Sequence, residues 1–309
     1  MRGIEPPRCH HHRLLRPARL PVPPHPRKRA KFNIRAGVGG VKNGPPPIPD
    51  RRFVGALARA VYSLVGFDHM TAQLHTRTGL AERLSAIITR ITECAVRAGR
   101  RPEDVRLIAV SKTHPVETIR EALAAGVTDL GENRVQEAEP KIEAMGHTQV
   151  RWHLIGPLQA NKARRAVKLF DVIHTLDSID LAQRLDRICR EEQRAELPVL
   201  IQLSLANEAT KSGVAFEQVE GLVNAVRQLD RLRLIGLMTM PPFEEDPERT
   251  RPYFHQLREI RDRLAAAGAF GGSIGELSMG MSHDHEVAIE EGATLVRIGT
   301  AIFGERIVG

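Results

Sequence analysis

The 309-residue chain carries 45 Lys plus Arg against 37 Asp plus Glu, a formal charge of +8. Residues 1–69 hold 14 basic and 3 acidic side chains, so residues 70–309 hold 31 and 34 and are mildly acidic. A partner such as nucleic acid or an anionic membrane, which +8 would otherwise favour, therefore has support only in the N-terminal segment. That segment lacks the interleaved aromatic platform of single-strand binders.

Residues 1–69 also contain 11 of the 20 prolines, the run Cys9-His10-His11-His12 and a Gly-rich stretch from Arg35 to Gly44. Such a composition cannot bury enough apolar area to offset chain entropy, and it reads as a disordered extension. Being Arg-rich and acid-poor, it has some character of an organellar transit peptide, although the Pro and His clusters do not fit one. The simpler expectation is translation from Met70, where a helical pattern soon begins. Residues 70–309 then form one domain. Cys9, Cys94 and Cys189 form no CxxC pair or disulfide framework, which points to a reducing compartment, the cytoplasm. No run of about 18 apolar residues is present, so no membrane span is expected.

In chain order, Leu80, Leu84, Ile87, Ile88, Ile91 and Ala95 fall at helical spacing, and Ala98-Gly99 with Pro102 ends the helix. Eight short apolar runs follow: Val105–Ser111, Thr128–Gly131, Arg151–Ile155, Asp171–Leu176, Val199–Leu205, Leu232–Met238, Ile274–Ser278 and Thr294–Ile298. Amphipathic stretches separate them at Val116–Ala125, Val135–Met145, Lys162–Lys168, Ile179–Glu192, Glu217–Gln228, Pro247–Ala267 and His283–Glu290. Eightfold strand–helix alternation predicts a closed α/β (β/α)8 TIM barrel rather than an open doubly wound sheet, and no GxGxxG follows the first strand. Chemistry is then expected at the C-terminal strand ends, and phosphate at the loops after the seventh and eighth strands.

At the first strand end the pleat puts Arg106, Ile108, Val110 and Lys112 on one face, so Lys112 extends an apolar row into the barrel mouth. A lysine just past a strand is most often simply solvated. A desolvated one has a lowered pKa and attacks aldehydes to form a Schiff base. The second strand leads into Gly131-Glu132-Asn133, and the third runs Trp152-His153 through Asn161-Lys162. A structural histidine would account for His153 by itself. The seventh leads into Ser278-Met279-Gly280-Met281-Ser282, where small residues and hydroxyls favour an anion. The acids after Ser282 fit first-turn capping better than a metal site built from His283, Asp284, His285 and Glu286. The eighth gives Arg297-Ile298-Gly299-Thr300.

These blocks, with Asn207, Lys211-Ser212-Gly213 and Gly236-Leu237-Met238, resemble the YggS/PROSC family of pyridoxal phosphate (PLP) homeostasis proteins over about residues 72–306. The resemblance implies a barrel of the alanine racemase N-terminal-domain type that holds PLP as an internal aldimine on Lys112. It further implies that Ser278, Met279, Gly280, Ser282, Gly299 and Thr300 hold the phosphate, that Arg297 faces the pyridine nitrogen, and that Asn133, His153 and Met238 line the pocket.

An Arg at that nitrogen disfavours its proton and weakens the ring as an electron sink. Only five residues follow Gly304, which leaves no room for the C-terminal domain that supplies a racemase with its second base. Tyr253 falls on a predicted helix rather than at a strand end. The family's implied role is accordingly to bind and buffer PLP and deliver it to PLP-dependent apoenzymes, as a monomer and without obvious turnover. The alternative is a PLP-dependent amino-acid racemase with His153 or a water as second base. A weaker third reading is a cofactor-free aldolase that uses Lys112. Lys211 reads as solvated unless it serves cofactor exchange.

If the positive tail alone carries polyanion affinity, deleting residues 1–69 removes salt-sensitive retention on DNA. Retention by residues 70–309 that weakens with salt would place a nucleic-acid surface on the body.

Overall fold

A computed structural model describes residues 79–206 and 213–304. The expected extension over 1–69 and its boundary at Met70 lie outside the described residues, as do Asn207, Lys211 and Ser212.

The described chain opens with α1 (Leu80–Arg97). Strands and helices then alternate: β1 (Arg106–Val110), α2 (Val116–Ala124), β2 (Asp129–Glu132), α3 (Val135–Met145), β3 (Arg151–Leu154), α4 (Ala163–Leu169), β4 (Val172–Leu176) and α5 (Ile179–Glu191). The second half continues with β5 (Leu197–Leu203), α6 (Val219–Arg227), β6 (Leu232–Thr239), α7 (Arg251–Ala266), β7 (Glu276–Ser278), α8 (His285–Glu290), β8 (Leu295–Ile298) and α9 (Thr300–Phe303). The strands form one closed parallel barrel in sequence order, and β8 pairs back onto β1.

The period-2 pleat sorts side chains into two apolar sets. Ile108, Val172, Leu200, Met238 and Leu295 pack together inside the barrel. Outward residues such as Ala109, Leu130, Trp152, Ile173, Leu237 and Val296 join the helix faces in one large surrounding core. This two-layer burial explains why the strands read as short continuous apolar runs. Trp152, fully buried on the outer side, also donates its indole N–H to Gly146 O at 3.0 Å, which satisfies its polar atom.

Helix α1 lays the stripe Leu80, Leu84, Ile87, Ile91, Cys94 and Ala95 against α8 and α9. Each buried Leu or Ile there contributes roughly 1.5–3 kcal/mol. Polar ties fix its register: Arg83 Nε donates to Ile302 O at 2.7 Å, and Arg100 Nη1 to Ala293 O at 2.7 Å. The helix thus bears on the two elements that flank β8.

Three local features depart from the expected elements. Gly275 sits at φ +86 and cuts β7 to three residues, shorter than the run from Ile274. Helix α8 starts at His285 rather than His283, because Asp284 Oδ1 accepts from Met281 N–H at 2.6 Å and closes a turn first. The acid therefore caps the turn after β7 instead of the helix. Helix α9 was not expected at all; it begins directly after Gly299.

One close approach carries weight for the mouth of the barrel. A Cβ on Gly156 would fall 2.2 Å from Asn133 O, so glycine lets the ends of β2 and β3 meet. Gly156→Ala is expected to cost about 1–3 kcal/mol in urea denaturation, the range of a core overpacking substitution. It also pushes on Asn133.

Candidate functional site

A cleft of about 270 Å³ opens at the C-terminal strand ends. Lys112 after β1, Asn133 after β2 and Ile155 after β3 form one side. Met240 after β6, Met281-Ser282-His283 after β7, and Arg297, Gly299 and Thr300 on β8 and α9 form the other. No Asp or Glu is among its lining residues. A wider groove of about 960 Å³, reaching Arg134, Gln159 and Lys162, adjoins it and shares Lys112, Thr113 and Asn133.

Two devices fix the backbone that bears Lys112. Thr113 takes φ +66, costly for a β-branched residue. Its N–H donates to Glu137 Oε1 of α3 at 2.8 Å, and its hydroxyl to Lys112 O at 2.6 Å. On the outer face, Ser111 Oγ and Lys141 Nζ each donate to Glu132 Oε1 at 2.7 Å, and Lys141 Nζ also donates to Ser111 O at 2.9 Å. Glu132 is fully buried, and burial pushes its carboxyl up despite the Lys141 charge. The residues on both sides of Lys112 are thereby clamped to α3.

The opposite wall is built by the loops after β7 and β8. Gly299 N–H donates to Ser282 Oγ at 3.4 Å, which brings the loops after β7 and β8 together. A Cβ on Gly299 would sit 3.3 Å from Val110, so only bare backbone approaches comfortably there. Beneath lies Arg297, almost fully buried. Its Nη1 donates to Ser278 Oγ at 2.7 Å and its Nη2 to Thr239 O at 3.0 Å. Burial pushes its guanidinium down to about 10, with the Asp284 charge opposing, and it stays cationic.

Below Arg297 a polar chain crosses the barrel interior. Ser278 Oγ is 2.9 Å from His174 Nδ1; His174 Nε2 is 2.9 Å from His153 Nδ1; His153 Nε2 is 2.9 Å from Asp129 Oδ1. Burial drives both imidazoles down, His174 well below the ordinary 6.5, and for His153 it outweighs the Asp129 charge. Burial would raise the Asp129 carboxyl, yet hydrogen bonds from His153 and Thr128 hold it below the usual range.

Of the residues singled out in the sequence, Lys112, Asn133, Ser282, Arg297, Gly299 and Thr300 meet in the cleft. Four others lie deeper. His153 and Met238 are buried in the barrel interior, with Ile155 and Met240, each one pleat further along, at the cleft instead. Ser278 is buried against Arg297 and His174, and Met279 faces the outer core. Gly280, at φ +87, turns the chain where a Cβ would fall 2.6 Å from Ala288. Sequence reasoning missed His174, Asp129, Glu132, Glu137 and Lys141. The available signal for His174 and Asp129 was a polar residue at an inward position of a buried strand. The residues of the HDHE run point apart: His283 Nε2 lies 3.0 Å from Glu245 O, and Glu286 pairs with Arg90 and Arg97.

Residues 83–307 match the family described as alanine racemase, N-terminal domain. The chain is 44% identical over 225 residues to a pyridoxal phosphate homeostasis protein of Aquifex aeolicus, covering 73% of this chain and 97% of that one. The chain belongs to this family. An Escherichia coli protein of the same name is 43% identical over 233 residues, covering 74% of this chain and 97% of that one. PipY of Synechococcus elongatus, solved with PLP bound, superposes with a TM-score of 0.63 at 39% identity, covering 73% of this chain and all of PipY. Alanine racemase of Clostridium difficile, at 18% identity and a TM-score of 0.57 over 72% of this chain and 56% of the racemase, shares the fold.

The cleft fits such a cofactor: an amine at the rim, a bare-backbone cradle with a hydroxyl donor, and a buried cation at the floor. The histidine pair gives a pH test. The unfolded chain binds protons near pH 6.5 that the buried rings refuse, so the unfolded state holds more protons and stability rises with pH through this window. Below about pH 6.5 each ring should cost up to about 1.4 kcal/mol per pH unit. His174→Gln, followed by urea denaturation across a pH series, should reduce the slope by one ring's share.

Proposed function

We propose that this barrel is a PLP-holding protein of PLP homeostasis, with Lys112 as the covalent anchor for the cofactor's aldehyde. The observation that carries the reading is the convergence of Lys112, Arg297 and the Ser282–Gly299–Thr300 cradle on one cleft lined by no carboxylate. PLP supplies an aldehyde carbon for an amine and a pyridine ring whose strength as an electron sink depends on the proton at its nitrogen.

The chain's own residues then divide the work. Ser282 and the backbone of Gly299 and Thr300 take the phosphate, where neutral donors suffice and a side chain would crowd Val110. Arg297 would face the ring nitrogen, where a permanent cation would disfavour a proton and so favour storage over turnover. Asn133 and Ile155 line the side by Lys112, and Met240 the opposite wall. His153 engages both ring nitrogens inside the barrel, so it is poorly disposed to act as a second base for racemisation.

The same reading makes PLP-dependent apoenzymes the recipients and the monomer the working unit, and places the protein in the cytoplasm. No helix among the described residues is long and apolar enough to cross a membrane.

Purified protein incubated with PLP should gain a visible absorbance band that borohydride makes permanent, with the label on the Lys112 peptide by mass spectrometry. Lys112→Ala should abolish the labelling. Wild-type protein that stays colourless and unlabelled at millimolar PLP overturns the reading, and rapid deuterium incorporation at the alpha carbon of amino acids would favour the racemase.

A further inference from the structure

The polar chain beneath Arg297 has one internally consistent direction. Guanidinium only donates, so Arg297 Nη1 gives its hydrogen to Ser278 Oγ at 2.7 Å. At the far end Asp129, as a carboxylate, only accepts, so His153 Nε2 must carry the hydrogen across 2.9 Å. A neutral His153 is then bare at Nδ1 and accepts from His174 Nε2–H. His174 is in turn bare at Nδ1 and accepts the Ser278 hydroxyl hydrogen. Every contact is satisfied with both rings neutral.

The reverse arrangement fails at its last link, where a bare His153 nitrogen would face the carboxylate. Adding one proton also breaks the chain. If His153 carries hydrogens on both nitrogens, His174 must donate to Ser278, and the Ser278 hydroxyl hydrogen loses its acceptor in the chain. Ser278, His153 and His174 are all at most 1% exposed, so bulk water does not reach the lost contact.

The surroundings hold the neutral state. Facing the pair are Arg106 from β1, Asp129 from β2, Arg151 from β3 and Arg297 from β8, three cations against one anion. His153 also borders a separate cavity of about 200 Å³ at the other end of the barrel, beside Arg151 and Glu276. The chain therefore spans the interior from that end to the floor of the mouth cleft.

We infer that Asp129, His153 and His174 are positioning residues for Arg297, forming a one-way hydrogen-bond relay that orients the Ser278 hydroxyl and so fixes the guanidinium at the floor of the PLP cleft. The inference rests on the PLP-holding reading for its purpose, though not for the existence of the relay. Arg297 has two of its five N–H donors committed by Ser278 and Thr239. Loss of the Ser278 acceptor frees the guanidinium to rotate and re-aim the donors that remain for the ligand.

Two measurements test it. In cofactor-free protein with 15N-labelled histidine, NMR should find His153 and His174 neutral and protonated at Nε2 at neutral pH. A ring in the Nδ1–H form, or charged, overturns the relay whether or not PLP binds. In PLP titrations, His174→Leu should weaken binding by about two- to tenfold, the value of a neutral hydrogen bond, and shift the bound absorbance band. His174→Gln, whose amide both accepts and donates, should restore most of the affinity and the band position. If His174→Leu does not fold, Ser278→Ala cuts the same link with a smaller volume change and decides the point. Wild-type affinity and spectrum in the folded variants would sink the positioning role. Failure of the wild type to bind PLP would instead overturn the function while leaving the NMR result to stand.

Discussion

The site depends on the ladder that closes the barrel. β1 pairs with β8 in a register that sets Ile108 opposite Arg297 and Arg106 opposite Leu295. Two pleats beyond Ile108 the chain delivers Lys112, and one pleat beyond Arg297 it delivers Gly299. Residues at opposite ends of the described sequence thus share a cleft through a hydrogen-bond register of a few residues. A one-residue slip of β1 against β8 would turn Lys112 outward while Arg297 stayed inward, because the side-chain period is two. Helix α1 supports this seam from outside by packing its apolar stripe on α8 and α9, the helices that flank β8.

Both sides of that seam are stiffened by buried charge, though in different ways. Outside the strands, Lys141 and Glu132 form an ion pair whose second task is to hold Ser111 by both its hydroxyl and its carbonyl. Such a pair gives little net stability against an apolar substitute, since desolvation consumes the Coulomb gain. Its value lies in fixing where the next residue, Lys112, emerges. Inside the strands, polarity is arranged in a line instead of a pair, and hydrogen bonds rather than opposed charges meet the cost of burial. The left-handed Thr113 belongs to the same economy of position, with Glu137 anchoring a conformation the residue would otherwise leave.

The fold was legible in the sequence because alternation is a local signal. Each strand announced itself by a short run and each helix by spacing, and strand order follows once the barrel is inferred. Lys112, Arg297, Gly299 and Thr300 were legible for a related reason: a barrel mouth lies just past its strand ends, so proximity to a strand terminus locates a side chain in space. The family resemblance instead drew attention to His153 and Met238, while Ile155 and Met240, one pleat further along, reach the cleft. The observed end of β3 at Leu154 and of β6 at Thr239 explains the offset. Lys141 and Glu137 were not legible, since each looks like an ordinary charge on an amphipathic segment, and Glu132 stood at a strand end with no sign of its partner. Only the packing of α3 on the β1 and β2 ends converts them into supports.

Charge placement shows why total charge carried so little information. The cleft contains two basic side chains of different character. Lys112 stands half-buried at the rim, whereas Arg297 is almost fully buried among neutral oxygens, its hydrogen-bond partners being the Ser278 hydroxyl and the Thr239 carbonyl. The acid that acts on Arg297 through space, Asp284, spends a carboxylate oxygen on Met281 N–H. A buried cation without a hydrogen-bonded anion is expensive. An anionic ligand in the cleft would offset that cost, whereas a carboxylate built into the wall would have removed the incentive to bind. Leaving the cation without a hydrogen-bonded anion would therefore store affinity for such a ligand, and the neutral relay beneath it satisfies the guanidinium geometrically without neutralising it.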